Sequence, residues 1–245
     1  LKTDFSKVIA TYEQKVASSA GVNDSVLDAG GAITNVLYDY YSKYYIQKWC
    51  NFQKNHCILD FGCGVGRLAI PFAKYVNEVH GVDISPSMIA VAQQQSEHLK
   101  NTSFSCISPN EKLNGHYDTI FFFGVLIHFS NEDIESLISN FKACLSPNGR
   151  IVFIEPTYKT TIQVNDEVIY RSTDEFMNLF SAFELVHTQS ILRNPSYSFH
   201  LIKKVKLKQQ AFLPFYRMIE ELTINRKPNT VNFFWTLFVF ENSAS

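Results

Sequence analysis

Three glycines at alternate positions, set between an apolar segment and a helical one, constrain this chain more than any other feature. His56 to Phe61 is short and apolar, with one acidic residue, Asp60, just before the break. Gly62, Gly64 and Gly66 follow, and a helical pattern runs from Leu68 to Tyr75. Glycines let backbone approach a ligand because no Cβ intervenes. The start of the next helix adds unpaired N–H groups. The stretch therefore reads as the nucleotide-binding edge of an α/β sheet.

The surrounding rhythm agrees. Strands are expected at 56–61, 78–83, 103–107, 117–123 and 150–155, with helices at 66–76, 86–98 and 131–144. Pro86 suits a first helical turn, and Ser130 with Asp133 resembles a capping box. Tyr117 to Phe123 is almost wholly apolar, as a central strand buried on both faces should be. Alternating strands and helices predict a parallel sheet with helices on both faces. Two helices precede it, 3–20 and 33–50. The second carries Tyr38, Tyr40, Tyr41, Tyr44 and Tyr45; most are expected to pack on the domain and one or two to line a substrate mouth.

Past Pro156, residues 157–171 show no periodicity and read as irregular. Ser172 to Glu175 caps a short helix reaching about 182, and Phe183 to Leu192 alternates like a strand. Residues 209–224 read as a cap helix and 231–240 as an aromatic strand. That strand is expected to be the last, antiparallel at the sheet edge beside the 183–192 strand; the alternative places the last strand at 198–206. Lys203, Lys204, Lys206 and Lys208 read as a solvated face, with an acidic substrate as the other reading.

Bulk properties remove several classes. The 245 residues, 46% hydrophobic and 18% charged, suit one globular α/β domain with appended elements. The net charge of -1 gives no global field for nucleic acid or an anionic membrane. Five cysteines with no C-x-x-C pair argue against a disulfide framework or a zinc site and fit reduced thiols in the cytoplasm. No metal is expected. No apolar run reaches the roughly 18 residues that span a bilayer. The chain opens at Leu1 rather than Met, which fits a part of a longer protein.

What the glycine loop binds narrows by spacing. A dinucleotide turn needs G-x-G-x-x-G, but the third glycine falls one place early and Arg67 stands in its place. A nicotinamide-dependent oxidoreductase is disfavoured accordingly, and no Walker Gly-Lys-Ser/Thr end exists. Asp60-x-Gly62-x-Gly64-x-Gly66, followed by Asp83 at the end of the next strand, resembles the class I S-adenosylmethionine-dependent methyltransferases. Val82 to Ile89 is similar to that family's acidic-loop segment. Tyr117 to Ile120 and Val125 to Phe129 are similar to its signature around strand four, and Leu145 to Val152 to its entry into strand five. The resemblance covers about residues 56–155.

The resemblance implies a Rossmann-like, doubly wound seven-stranded sheet, mostly parallel with an antiparallel last strand, plus helical lid and cap elements. It implies one methyltransferase domain: a lid over 1–52, a core over 53–193 and 231–245, and a cap insertion over 194–230. The cofactor implied is S-adenosyl-L-methionine, with S-adenosyl-L-homocysteine as product. Gly62, Cys63, Gly64 and Gly66 form its loop, Asp60 faces the ammonium and Asp83 the ribose diol. Ile84 and Met88 sandwich the adenine, and Phe123 closes the strand-four side. Asp60 as a turn cap and Met88 as a core residue are the alternatives. The family's acidic adenine partner is replaced by Cys106, with Ile107 next, and a thiol is a poor acceptor. Tyr12 is placed at the cofactor carboxylate.

His128 and Glu155 are the candidate catalytic groups, His128 just beyond the carboxyl end of strand four and Glu155 ending strand five on the same rim, where ligands gather in open α/β sheets. A structural histidine and a loop-capping glutamate are the alternatives. The N-P-P-Y signature of DNA and some protein N-methylases is absent after strand four, where Phe123-Gly124-Val125-Leu126 stands. The expectation is methyl transfer to an oxygen or nitrogen of a small, partly apolar molecule. The competing expectation is a methyltransferase-fold protein that binds the cofactor but serves as a non-methylating enzyme or a scaffold.

Overall fold

The computed structural model describes residues 3–18, 32–109, 111–193, 213–223 and 233–243. In chain order these form α1 (Phe5–Ser18), α2 (Ala32–Trp49), β1 (Cys57–Phe61), α3 (Ala69–Phe72), β2 (Glu78–Asp83), α4 (Pro86–Ser96), β3 (Thr102–Cys106), β4 (Tyr117–Phe123), α5 (Asn131–Cys144) and β5 (Leu145–Tyr158). There follow β6 (Ile162–Asn165), β7 (Val168–Ser172), α6 (Thr173–Leu179), β8 (Glu184–Arg193), α7 (Leu213–Thr223) and β9 (Phe233–Glu241).

Strands β3, β2, β1, β4 and β5 are parallel neighbours in that order. Strand β9 runs antiparallel to β5, and β8 pairs antiparallel with β9 on its other side. The sheet is thus mostly parallel with an antiparallel last strand, as expected, but it has nine strands among the described residues rather than seven, because β7 and a second reversed strand, β6, extend it. The position of the last strand, β9, differs from the expectation. It lies between β5 and β8, inside the sheet, because successive residues are buried on opposite faces: Leu237 and Val239 on one, Phe238 and Phe240 on the other. The alternative at 198–206 and the lysines of 203–208 lie outside the described residues.

Period-two alternation divides the core. Ile58, Phe121, Val152 and Leu237 pack with α2 on one face. Leu59, Ile120, Phe122, Phe153 and Phe238 pack with α5 and α6 on the other. Helix α5 meets that face through Ile134, Leu137, Ile138 and Phe141, a stripe at helical spacing. Ser130 caps it by accepting from the Asp133 N–H, and Ser172 caps α6 by accepting from Glu175. Ser85 caps α4, with Pro86 in the first turn. The helix expected at 66–76 is shorter: α3 covers four residues and a 3-10 turn, Ala73–Tyr75, finishes it.

The stretch read as irregular, 157–171, is ordered. Strand β5 continues to Tyr158, and β6 and β7 form a hairpin. Beyond Phe123, where β4 ends, β7 takes its place beside β5, pairing Arg171 with Thr157. No helix among the described residues is long and apolar enough to cross a membrane.

Phe153 sits at the centre of the aromatic face, fully buried, with ring centroids of Phe122, Phe180 and Phe238 at 4.8, 4.8 and 4.9 Å. Phe153→Ala should cost about 3–5 kcal/mol, since close-packed neighbours on both strands limit collapse. Chemical denaturation checks this as a lower midpoint at unchanged m-value; a loss below about 1 kcal/mol would show that the face repacks.

Candidate functional site

The carboxyl ends of β1, β2 and β4 open onto a cavity of roughly 590 Å³, within the usual range of small-molecule sites, about 300–1,000 Å³. Gly62, Gly64, Asp83, Ile84, Met88, Ile107 and Phe123 line one part of it, so the sequence-predicted cofactor residues are largely brought together. The loop is built for close approach. Gly62 has φ 69° and Gly64 φ 53°, and a Cβ on Gly62 would lie 2.5 Å from a Val125 methyl. A side chain there would both strain the turn and push the segment after β4 away.

Asp83 fixes the loop. Its Oδ2 accepts from the Gly64 N–H at 2.8 Å and its Oδ1 from the Ser85 N–H at 2.9 Å. A carboxylate offers about four lone-pair sites, so Asp83 keeps acceptor capacity where it lines the cavity. Burial pushes its carboxyl above the usual aspartate range, against the N–H groups of Ser85, Gly64 and Ile84.

Other predicted residues lie beside the cavity rather than on its wall. Asp60 is buried beneath the loop, where its Oδ2 accepts from the Ala69 N–H at 3.1 Å and so caps α3. Burial pushes it up to about 8, Arg67 acting against the rise. Cys63 is buried and packs against Gly81. Gly66 turns toward Ile70. The Cys106 thiol points to the Ile84 carbonyl at 3.7 Å. Of the five α2 tyrosines, Tyr38 alone lines the cavity among the described residues.

His128 ends the 3-10 turn Leu126–His128 and faces the cavity. Its Nδ1 lies 2.9 Å from the Glu167 carbonyl, which can only accept, so Nδ1 carries the proton. Nε2 is then an acceptor for the Tyr12 hydroxyl at 3.0 Å. Burial lowers the histidine pKa and raises that of Tyr12, so both are neutral near pH 7. Tyr12 is brought here by α1, which is tied down at both ends. Thr3 N–H donates to Asp133 Oδ2 at 2.9 Å, and the Ser85 hydroxyl donates to Glu13 Oε1 at 2.6 Å.

Glu155 does not reach the cavity. It is fully buried, and its Oε1 accepts from the Val125 and Leu126 N–H groups at 2.7 and 2.8 Å. Its Oε2 has no partner among the described residues, and burial pushes the carboxyl up to about 7. The geometry is that of the loop cap weighed as its alternative role.

Sequence reasoning missed Arg171, fully buried on β7, which donates to the Leu126 carbonyl at 2.9 Å and to the Phe129 carbonyl. It also missed the hairpin wall of Asn165, Glu167, Val168 and Tyr170. A buried arginine in Val-Ile-Tyr-Arg-Ser was the available signal, because such a charge requires acceptors.

Residues 59–151 match the family described as the methyltransferase domain. A magnesium-protoporphyrin O-methyltransferase from Synechocystis is 32% identical over 108 residues, 43% of this chain and 47% of that protein. A ubiquinone biosynthesis O-methyltransferase from Coxiella burnetii is 33% identical over 112 residues, 44% of this chain and 47% of its own. The chain thus spans about half the length of these curated relatives. The crystal structure of the Synechocystis magnesium protoporphyrin IX methyltransferase with bound S-adenosylmethionine has the same fold. Its TM-score is 0.59 at 17% identity, covering 98% of this chain and 93% of that one. With this match set on the glycine loop, the acidic second strand and the reversed strand between β5 and β8, residues 59–151 are similar in sequence to methyltransferase domains, and the chain has the fold of the class I S-adenosylmethionine-dependent enzymes.

Proposed function

We propose that the chain moves a methyl group from S-adenosylmethionine to an oxygen, or a nitrogen, of a small and partly apolar molecule, and that Tyr12 and His128 receive the acceptor's proton. The donor set fits the cofactor. Backbone at Gly62 and Gly64 suits the amino-acid tail, and the remaining acceptor capacity of Asp83 suits a vicinal diol. Ile84, Met88 and Ile107 offer apolar faces to the adenine, and Phe123 covers the far side. Asp60, Cys63 and Gly66 shape the loop from beneath, and Cys106 holds the Ile84 backbone, so adenine recognition rests on apolar contact. The bound cofactor supplies a methyl already activated on a sulfonium, so alignment and exclusion of water carry much of the rate.

The observation that carries the acid–base reading is the Tyr12–His128–Glu167 chain on the cavity wall. An acceptor hydroxyl donating to the Tyr12 oxygen can lose its proton as Tyr12 passes its own to Nε2. The raised Tyr12 pKa means no phenolate accumulates, so the two transfers occur together. The remaining wall, with Phe5, Val8, Tyr38, Phe129, Tyr170 and Trp235, suits a partly apolar acceptor. The two curated relatives are both O-methyltransferases, which favours oxygen. In this reading α1 and α2 belong to a lid delivering Tyr12 over the sheet core, and α7 belongs to a cap.

Calorimetric titration with S-adenosylhomocysteine tests the cofactor site. Asp83→Ala should weaken binding by at least tenfold, about 1.4 kcal/mol; unchanged affinity would place the ribose elsewhere, and no micromolar binding by the parent chain would remove the reading.

A labelled-methyl screen over small hydroxyl and amine acceptors supplies a substrate for the second test. His128→Ala and Tyr12→Phe should each lower kcat by about 10²-fold or more, with S-adenosylhomocysteine affinity within about threefold. If Tyr12→Phe instead weakens the cofactor and spares kcat, Tyr12 serves the cofactor carboxylate.

The kcat profile against pH is the third. Burial, then Lys15, depress His128, while the Glu167 carbonyl and carboxylate act the other way. The base form therefore persists below the ordinary histidine value of about 6.5, and kcat should fall only in more acid solution. An acid limb above that value that persists in His128→Ala would assign the titration to another group.

A further inference from the structure

Cys57, Glu78 and His80 converge at the amino-terminal edge of the sheet, the end opposite the cavity. Cys57 opens β1 and Glu78 opens β2, and the parallel register sets them side by side. His80 follows Glu78 by two residues and so projects from the same face. One ligand atom from each residue lies within 4.8 Å of the other two, and all three side chains are half-buried.

Hydrogen-bond direction makes the cluster more than a coincidence of residue types. The Tyr117 hydroxyl, on β4, donates its single proton to the Asn114 carbonyl at 2.8 Å. Its oxygen can then only accept from His80 Nδ1, 3.0 Å away, so Nδ1 carries the imidazole proton. That leaves the Nε2 lone pair facing Glu78 Oε1 at 2.8 Å, an acceptor against an acceptor. The contact is favourable only if a proton, on the imidazole or on the carboxyl, or a metal ion lies between the two atoms. The Cys57 sulfur completes the set, 4.0 Å from the other Glu78 oxygen.

We propose that Cys57, Glu78 and His80 bind one divalent transition-metal ion of the zinc type, with His80 Nε2, Cys57 Sγ and a Glu78 carboxylate oxygen as ligands. Sulfur, imidazole and carboxylate together suit zinc, and three protein ligands leave one tetrahedral position for water. Bonds of about 2.0–2.3 Å require small movements only: His80 and Glu78 separate slightly and Cys57 closes in. Thiolate and carboxylate neutralise the dication, so the site buries no net charge. Binding displaces the Cys57 proton, which burial and the Glu78 and Asp118 carboxylates hold on up to about 11 without the metal. Tyr117 orients the imidazole from behind, as partners of metal-bound histidines do. The ion would clip β1 to β2 at the far end of the sheet and take no part in methyl transfer.

Cobalt(II) titration of the reduced full chain tests this, independently of methyl transfer. One equivalent should give a near-ultraviolet thiolate-to-cobalt band and the visible bands of a tetrahedral ion, both displaced by zinc. Cys57→Ser should abolish the near-ultraviolet band, and Glu78→Gln, which keeps the side chain's shape, should weaken binding by at least tenfold. Tyr117→Phe should weaken it by about tenfold. Cys106→Ser, at the exposed thiol, should leave the near-ultraviolet band and the cobalt affinity unchanged. The proposal is overturned if no equivalent binds, leaving only the histidine–glutamate ion pair. It is equally overturned if the band survives Cys57→Ser in a chain folded by circular dichroism, or is lost in Cys106→Ser.

Discussion

Five residues after β4, Val125 to Phe129, hang between two buried charges, and the site depends on that suspension. Glu155 accepts from the N–H groups of Val125 and Leu126, and Arg171 donates to the carbonyls of Leu126 and Phe129. Neither charge is solvated, so each needs partners, and the peptide groups between them are those partners. The turn that carries His128 is therefore held by both its donors and its acceptors. It also presses Val125 against Gly62, which ties the methyl-donor loop to the same frame. A break at either charge would loosen the acceptor side and the glycine loop together.

The hairpin β6–β7 turns this frame into a chamber. Arg171 belongs to β7, and Glu167, in the bend before it, orients His128 through its carbonyl. The hairpin exists because β5 outruns β4, leaving paired backbone positions open beyond Phe123 that β7 fills. Helix α1 closes the opposite side, with Phe5 packed edge-on against Phe129 at 5.0 Å and Tyr12 on His128. Three segments remote in sequence thus meet at one imidazole.

That remoteness explains what was and was not legible in the sequence. The donor half was readable because Gly62, Gly64 and Asp83 sit within one strand–helix–strand unit whose register is local. Tyr12 and His128 are 116 residues apart, and no periodicity pairs them. The hairpin was invisible because β6 is exposed throughout, so its four residues carry no burial pattern. Glu155 was legible as a rim residue, but whether a strand-end carboxylate points to ligand or to a neighbouring loop depends on how far β5 extends beyond β4. The edge placement of β9 was an error with a readable cause: apolar residues at successive positions from Leu237 to Phe240 signal burial on both faces, which an edge strand does not have.

A parallel sheet has two chemically distinct ends, and one register builds both. Pairing Phe61 with Val82 brings the glycine loop beside Asp83 at the carboxyl end; the same ladder pairs Cys57 with Glu78 at the amino end. Shifting β2 by one residue would turn Asp83 away from Gly64, and Glu78 and His80 away from Cys57, at once, because side-chain direction alternates along a strand. The apolar partners Ile58 and Val79, both fully buried on one face, resist that shift. The core packing that fixes the register is thus what positions polar groups at both ends, and neither polar cluster has to supply its own alignment.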